Sequence, residues 1–453
     1  MVMNLRDWAP TARGVVKAGQ FVAEPASVAT PEYHELKAKL HNQLLGRIDL
    51  DVLGNMAPER LREQLGALVA ALLTESGVAL NAAEHTKMIE DIQNEVMGLG
   101  PLEPLLADPT VSDILVNGPG KVYVERQGRI ELTDIVFSDA AHLMKVIDKI
   151  VSRVGRRIDE SSPMVDARLS DGSRVNAIIP PLALDGPVLS IRRFAVVPLR
   201  MEDLIMVKSL TPDLAQLLQG MVRAKMNILI SGGTGSGKTT LLNVLSSAIP
   251  IHERIVTIED AAELQLQQPH VVRLETRTPN VEGKGEVNQR ALVRNSLRMR
   301  PDRIIIGEVR GAEVVDMLQA MNTGHEGSMA TVHANSPRDV LTRLENMAGM
   351  GGMVIPPKAM RQQISSAIMA IIQIARLNDG RRKLVSLQEV VGMEGDTITM
   401  QEIYAYTQTG IAPDGTVLGH FGATGVRPKF MTRLRAYGVS VPDETFDQNR
   451  TYE

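Results

Sequence analysis

The chain has 453 residues, 44% of them hydrophobic, with 49 basic against 53 acidic residues and a formal net charge of −4. That length suggests two to four domains of roughly 100–200 residues each, and the balanced charge gives no global basic surface of the kind that advertises nucleic acid. The absence of cysteine excludes a disulfide framework and a thiolate zinc site, and without an apolar run of about 18 residues or a signal-peptide core the expectation is a cytoplasmic protein with no transmembrane segment.

Residues 1–30 mix Ala, Pro, Gly and Val without periodicity and read as a mobile tail. Residues 31–97 carry a helical period. Leu61, Leu65, Leu68 and Leu72 share one face, and Asn81 with Glu84 forms a capping-box pattern ahead of Met88, Ile89, Ile92 and Val96. The expectation is a small helical bundle serving as a structural or docking appendage. GLGPLEPLL, from Gly98 to Leu106, breaks the helix and opens a second unit over 98–200. Two alternating segments, SDILVN and KVYVER, flank the turn signal Asn117–Gly118–Pro119–Gly120. A helix follows, with Leu143, Val146, Ile147, Ile150 and Val154 on one face and Ser138 as its expected cap. DARLSDGSRVNAIIPP and VLSIRRF then supply short strands, which makes the unit an α/β domain. Residues 201–210, MEDLIMVKSL, read as a linker.

Over 211–453 apolar strands alternate with helical stretches. The strands are NILIS, RIVTIED, VVRLET, RIIIGEV and SMATVH. This alternation predicts a largely parallel sheet with helices on both faces. After about Asn378, KLVSLQEVVGMEGDTITMQEIYAYT predicts an antiparallel C-terminal extension.

Between NILIS and the helical TTLLNVLSSAI lies GGTGSGKTT: Gly232, Gly233, Thr234, Gly235, Ser236, Gly237, Lys238, Thr239 and Thr240. It fills every fixed position of the phosphate-binding loop pattern in the strand–loop–helix setting that the pattern requires. The glycines let backbone N–H groups turn inward toward phosphate oxygens, and the helix N-terminus adds partial positive charge. Lys238 can then reach the outer phosphates and the Thr239 hydroxyl can hold Mg2+, which implies ATP or a similar nucleotide as ligand.

The strand RIIIGEV ends in Glu308, with Gly307 where many ATPases have an Asp. Glu308 is therefore the candidate to orient and polarise an attacking water. Glu259 and Asp260 stand at the end of another strand. Each either holds Mg2+, partly through water, or caps the next turn, with Glu259 preferred for the metal. His325 and His333 flank the strand SMATVH and either sense the terminal phosphate or serve as structural hydrogen-bonders. Arg294, Arg298, Arg300 and Arg303 lie close together in LVRNSLRMRPDR; Arg174, Arg192 and Arg193 lie in the preceding domain. Arginines of this kind either neutralise charge on a transferred phosphoryl group or are solvated at the surface.

The ordered set GGTGSGKTT, TIEDAAEL, SLRMRPDRIIIGE and TGHEGSMATVHANSP resembles the type II and type IV secretion ATPase superfamily, which also powers type IV pili. The longer segments IEDAAELQLQQPHVVRLETR, EGKGEV and GEVRGAEVVDMLQAMNTGHEGSM resemble its tight-adherence (Tad) pilus branch, the CpaF type. The resemblance covers about residues 97–377. It implies a RecA-like ATPase domain preceded by a smaller α/β domain, assembled as a homo-hexamer with nucleotide between the paired domains. It further implies a motor peripheral to the inner membrane, where platform proteins of the pilus would be its partners. By the same resemblance the nucleotide-handling residues fall on Lys238, Thr239, Glu308, Glu259, His325, His333, Arg174, Arg192 or Arg193, and Arg300. No nucleic acid is expected, since only 3% of residues are aromatic. Two alternatives remain at this point: a ring motor translocating nucleic acid or another secreted substrate, and a nucleotide-gated adaptor with negligible turnover. The lack of an N-K-x-D motif disfavours a GTPase.

Overall fold

The computed structural model describes residues 31–47, 57–126, 128–193, 198–277, 279, 284–352 and 355–452. The tail expected over 1–30 lies outside them. The described chain folds as a helical bundle, a small antiparallel α/β layer and a large mixed sheet covered by helices on both faces.

The bundle comprises α1 (Pro31–Arg47), α2 (Pro58–Ser76) and α3 (Ala82–Met97). Its core joins Leu40 and Leu44 to Leu65, Leu72, Met88 and Ile92. Asn81 accepts from the backbone N–H of Glu84 while the Glu84 carboxylate accepts from that of Asn81, so two of the first-turn N–H groups that a helix leaves unpaired are satisfied. A salt-bridged carboxylate, Glu95, ties the bundle inward and outward at once. It accepts from Lys37 at 2.7 Å within the bundle and pairs with His142 at 3.0 Å on the next domain.

After a short helix α4 (Glu103–Ala107) come β1 (Val111–Asn117), β2 (Val122–Arg126), β3 (Arg129–Leu132), α5 (Ala140–Arg153), β4 (Met164–Arg168), β5 (Arg174–Ile178) and β6 (Val188–Arg192). The strands form an antiparallel sheet in the order β3-β2-β1-β6-β5-β4. Its apolar face packs on Leu143, Val146, Ile147 and Ile150 of α5. The cap of α5 is Asp139 rather than Ser138: its carboxylate accepts from the His142 N–H, one residue along from the expected position.

Residues 201–210 are not a bare linker. Met201–Met206 form α6, and Met201, Leu204 and Leu210 are buried in the core beneath the large sheet. These buried apolar side chains bind the segment to the domain that follows it.

That domain contains α7 (Pro212–Arg223), β7 (Ile228–Gly232), α8 (Lys238–Ser246), β8 (Ile255–Glu259), β9 (Val271–Glu275), α9 (Gln289–Ser296), β10 (Arg303–Val309), α10 (Glu313–Asn322), β11 (Met329–His333), α11 (Pro337–Met350), α12 (Pro357–Ala367) and β12 (Ala370–Arg376). Four more strands follow: β13 (Arg382–Glu394), β14 (Thr397–Ile411), β15 (Val417–Ala423) and, after α13 (Met431–Ala436), β16 (Thr451–Tyr452). The sheet order is β16-β15-β14-β13-β12-β7-β11-β10-β8-β9. The half from β12 to β9 is parallel and the half from β13 to β16 antiparallel, as the change in sequence character after Asn378 predicts. Every residue of β7 and β8 is buried, the signature of a parallel strand covered on both faces. Because β7, β8, β10 and β11 run the same way, their C-terminal ends open on one edge of the sheet, where α/β sheets place their ligands.

Candidate functional site

The phosphate-loop segment leaves β7 at that edge. Gly235 and Gly237 adopt φ of +68° and +97°, a left-handed conformation that a side chain would strain. They turn the chain into α8, whose N-terminus is capped by no side chain, so its N–H groups face the loop. Lys238 is buried, its Nζ donating to the carbonyls of Gly232 at 3.1 Å and Gly233 at 2.9 Å. Burial lowers the Lys238 pKa, and the cations Arg310 and Arg192 reinforce that shift against the nearby Glu308. Thr239 and Thr240 begin α8 and line a small cavity of about 220 Å³ with Asn243, Glu263, Arg174, Arg192 and Arg193.

Three neighbouring strands converge on the loop. Glu308, at the end of β10, is half-buried. Burial pushes its carboxyl up, but the hydrogen bond from Arg310 at 2.8 Å and the charges of Arg310, Lys238 and His333 outweigh it and hold the pKa below its ordinary value. Arg310, which no sequence motif singled out, also reaches Asp260 at 3.5 Å. His333 ends β11 in register with Gly232, and burial lowers its pKa, with Lys238 adding to the effect. Glu259 ends β8. It is 3% exposed; its Oε2 accepts from the N–H groups of Glu263 at 2.7 Å and Leu264 at 2.9 Å, while its Oε1 is buried with no partner. Burial raises its pKa in spite of those two donors.

The place of the usual Asp is explained by the same carboxylate. Strands β8 and β10 are adjacent, and a Cβ on Gly307 would stand 2.8 Å from Glu259 Cγ. Glu259 thus fills the space that a side chain at 307 would take. A buried carboxylate oxygen without a hydrogen-bond partner, at the same sheet edge as the phosphate loop, has the chemistry of a ligand for a hydrated divalent cation, so the residues present suit Mg2+.

The small domain closes over this edge. Arg174 on β5 donates to Glu263 at 2.7 Å, and Arg168 on β4 bridges Glu275 at 3.2 Å and the Ala262 carbonyl at 3.1 Å. Between the domains lies a cleft of about 970 Å³ whose walls include Arg168, Arg174, Arg192, Asp260, Arg277 and Arg310. Arg192 is held by Asp113 at 3.1 Å. Arg193 is turned back on its own domain, donating to the carbonyls of Asp108 and Val111.

Two sequence-expected residues are not at this edge. Arg300 precedes β10 and His325 precedes β11, so both stand at the N-terminal end of strands whose C-terminal ends carry Glu308 and His333. At about 3.3 Å per residue the five residues of β11 span roughly 16 Å and the seven of β10 roughly 23 Å, which separates each from the loop of its own chain. The turn after His325 is fastened at that far edge: Asn227, just ahead of β7, accepts from the N–H groups of Gly327 and Ser328. There too Arg303, fully buried, pairs with Glu253 at 2.5 Å. The motifs SLRMRPDRIIIGE and TGHEGSMATVHANSP each straddle a strand and deliver only their second half to the site.

The sequence pattern of the family described as type II/IV secretion system protein matches residues 95–414. A protein of Mycobacterium tuberculosis named for conjugal transfer is 41% identical over 310 residues, covering 67% of this chain and 88% of its own. The conjugal transfer protein TrbB of Rhizobium radiobacter is 33% identical over 316 residues, covering 69% of this chain and 92% of its own. Among solved structures, the VirB11 ATPase of the Brucella suis type IV secretion system is 30% identical, covers 64% of this chain and 92% of its own, and superposes with a TM-score of 0.35. On the family pattern and these identities the chain belongs to the type II/IV secretion system family, as an ATP hydrolase.

Proposed function

We propose that the chain is the subunit of a homo-hexameric motor that couples ATP hydrolysis to assembly, and in reverse to retraction, of a Tad-type pilus. The motor works from the cytoplasm, peripheral to the inner membrane, through platform proteins of the pilus. The observation that carries the enzymatic part is the meeting of Lys238, Glu308, Glu259 and His333 at one sheet edge under a lid of arginines. The pilus assignment rests on the Tad-like segments around TIEDAAEL and GEVRGAEV.

In this reading the loop Gly232–Thr240 cradles the phosphates of ATP and Lys238 exchanges its loop carbonyls for phosphate oxygens. Glu308, ionised at neutral pH and oriented by Arg310, positions and polarises the attacking water. Thr239 and, partly through water, Glu259 would hold Mg2+, which supplies charge neutralisation for the β- and γ-phosphates. Arg174 and Arg192 reach toward the phosphates from the small domain and neutralise developing charge, and His333 senses the terminal phosphate. Contacts to the phosphates from both domains favour closure, and loss of the γ-phosphate releases it.

A second reading has one specific observation in its favour: the relatives named for conjugal transfer. A conjugation motor would have the same site and a different cargo. The net charge of −4 and 3% aromatic content favour the pilus. The test is Glu308→Gln as the only cellular copy, at normal protein level. The purified variant is expected to bind ATP and turn it over at least about a hundredfold slower, and the cells are expected to lose their pili. Turnover near wild type sinks the role of Glu308; slow turnover with normal piliation sinks the pilus assignment and points to conjugal or secretion assays.

A further inference from the structure

The apex of the phosphate loop is overhung by two arginines that the scheme above does not use. Arg376 ends β12, the strand paired beside β7, and Arg382 opens β13. Arg382 Nε donates to the Gly235 carbonyl at 2.9 Å, and its Cδ passes 3.4 Å from where a Cβ of Gly237 would stand. Arg376 Nη1 lies 3.5 Å from the corresponding point on Gly235. Both guanidiniums therefore reach the loop from the C-terminal side of the large sheet.

A further contact of both crosses to the other domain. Glu125, on β2, places Oε1 3.6 Å from Arg376 Nη1 and 3.8 Å from Arg382 Nη2. Its side chain is 16% exposed, against 30% and 38% for the arginines. Across the β1–β2 ladder Glu125 faces Asp113, the residue that holds Arg192. One end of the small sheet thus presents two carboxylates, each engaged with arginines that border the nucleotide site. Two guanidiniums facing one carboxylate leave an uncompensated positive charge at the mouth of an anion-binding loop. Guanidinium also matches phosphate oxygens at least as well as carboxylate, through paired N–H donors.

We propose that Arg376 and Arg382 form a phosphate clamp for a nucleoside di- or triphosphate seated in the loop, and that Glu125 is the competing anion which holds the clamp when it latches the two domains together. The proposal rests on the ATP-binding reading above and adds a coupling to it. Nucleotide phosphates draw the arginines away from Glu125, so occupancy of the loop weakens an interdomain ion pair. By linkage the pair weakens nucleotide binding by the same factor. Both pairs are long and partly solvated, so the coupling is modest, a few-fold, suited to biasing domain position rather than locking it.

The test is an equilibrium titration of the full chain with ATP and with ADP. Glu125→Gln keeps the shape and removes the charge; its affinity for both nucleotides is expected to rise about threefold to tenfold. Arg376→Gln with Arg382→Gln is expected to weaken binding, and adding Glu125→Gln to that pair is expected to change nothing further, closing a double-mutant cycle. Unchanged or weaker binding in Glu125→Gln, or a gain that persists without the arginines, overturns the clamp. A melting curve for each variant separates loss of fold from loss of coupling. Should Glu125→Gln fail to fold, nucleotide affinity left intact by the two arginine substitutions overturns the proposal by itself. Wild-type chain that binds neither nucleotide, or a Lys238→Ala variant that binds both as well as wild type does, refutes the phosphate-loop reading instead, which keeps the two failures distinct.

Discussion

Gly307→Ala tests whether Glu259 stands in for the missing strand-end Asp. The added Cβ would lie 2.8 Å from Glu259 Cγ, 3.5 Å from its Cβ and 3.4 Å from Oε2. Carbon atoms rest about 3.5–4.0 Å apart, so the nearest contact is short by roughly 1 Å. Glu259 has little room to yield. Its backbone belongs to a strand paired on both sides, by β10 and β9. Its Oε2 is pinned by two N–H donors, and it is 3% exposed. Overpacking of this kind costs about 1–3 kcal/mol. For a domain of this size each kcal/mol moves the melting temperature by roughly 2–4 °C, so a fall of about 2–12 °C is expected. The same displacement moves Oε1, so the Mg2+ concentration for half-maximal ATPase activity is expected to rise. Thermal unfolding and a Mg2+ titration of turnover check both. A variant that melts within about 1 °C of wild type with an unchanged Mg2+ requirement refutes the packing argument and the metal assignment together.

Two further outcomes bear on the scaffold. Arg303 is fully buried against Glu253, which is 3% exposed, and its Nη1 also donates to the Val222 carbonyl at 2.8 Å; Glu253→Gln strands the guanidinium and is expected to lower unfolding free energy in urea by about 3–5 kcal/mol, whereas a loss under about 1 kcal/mol would mean the pair is not desolvated as the structure has it. Glu95 fastens the bundle: burial pushes its carboxyl up, but His142 and Lys37 more than offset this and bring it from 4.5 to about 2. A depressed carboxylate contributes stability that is present above its unfolded pKa and lost as the pH falls through the folded one, so docking of the bundle is expected to weaken between about pH 4.5 and pH 2, and Glu95→Gln is expected to flatten that slope in pH-resolved hydrogen exchange of α1 and α3. An identical slope in the variant assigns the acid sensitivity elsewhere.

What the sequence made legible was whatever its chemistry is local. The phosphate loop needs glycines, a lysine and a helix start within nine residues, and all of it stands where the pattern put it. Buried parallel strands announce themselves as short apolar runs, and β7, β8, β10 and β11 match those runs to within a residue or two. The Asn81–Glu84 box is likewise a four-residue affair. Segment 201–210 was misjudged because the partners that bury Met201, Leu204 and Leu210 come from elsewhere in the chain. Arg310, Arg376, Arg382 and Glu125 carried no local signal, since each matters only through a residue brought to it by folding.

Which of the expected residues stand at the loop of their own chain follows from the direction of a strand. A motif such as TGHEGSMATVHANSP reads as one unit, yet a strand through its middle carries its two histidines to opposite edges of the sheet. In a parallel sheet the ligand edge is always the C-terminal one. That rule puts Glu308 and His333 at the ligand edge of their own chain and Arg300 and His325 at the opposite one, and it does so from strand boundaries that the sequence already supplied. It also shows why Gly307 and Glu259 belong together. They are successive ends of neighbouring strands, β10 and β8, so a side chain missing from one is made good by a longer one reaching across from the other. Under the proposed assignment the acidic function of the second motif sits one strand over, on Glu259, and the melting and Mg2+ dependence of Gly307→Ala measure whether it does.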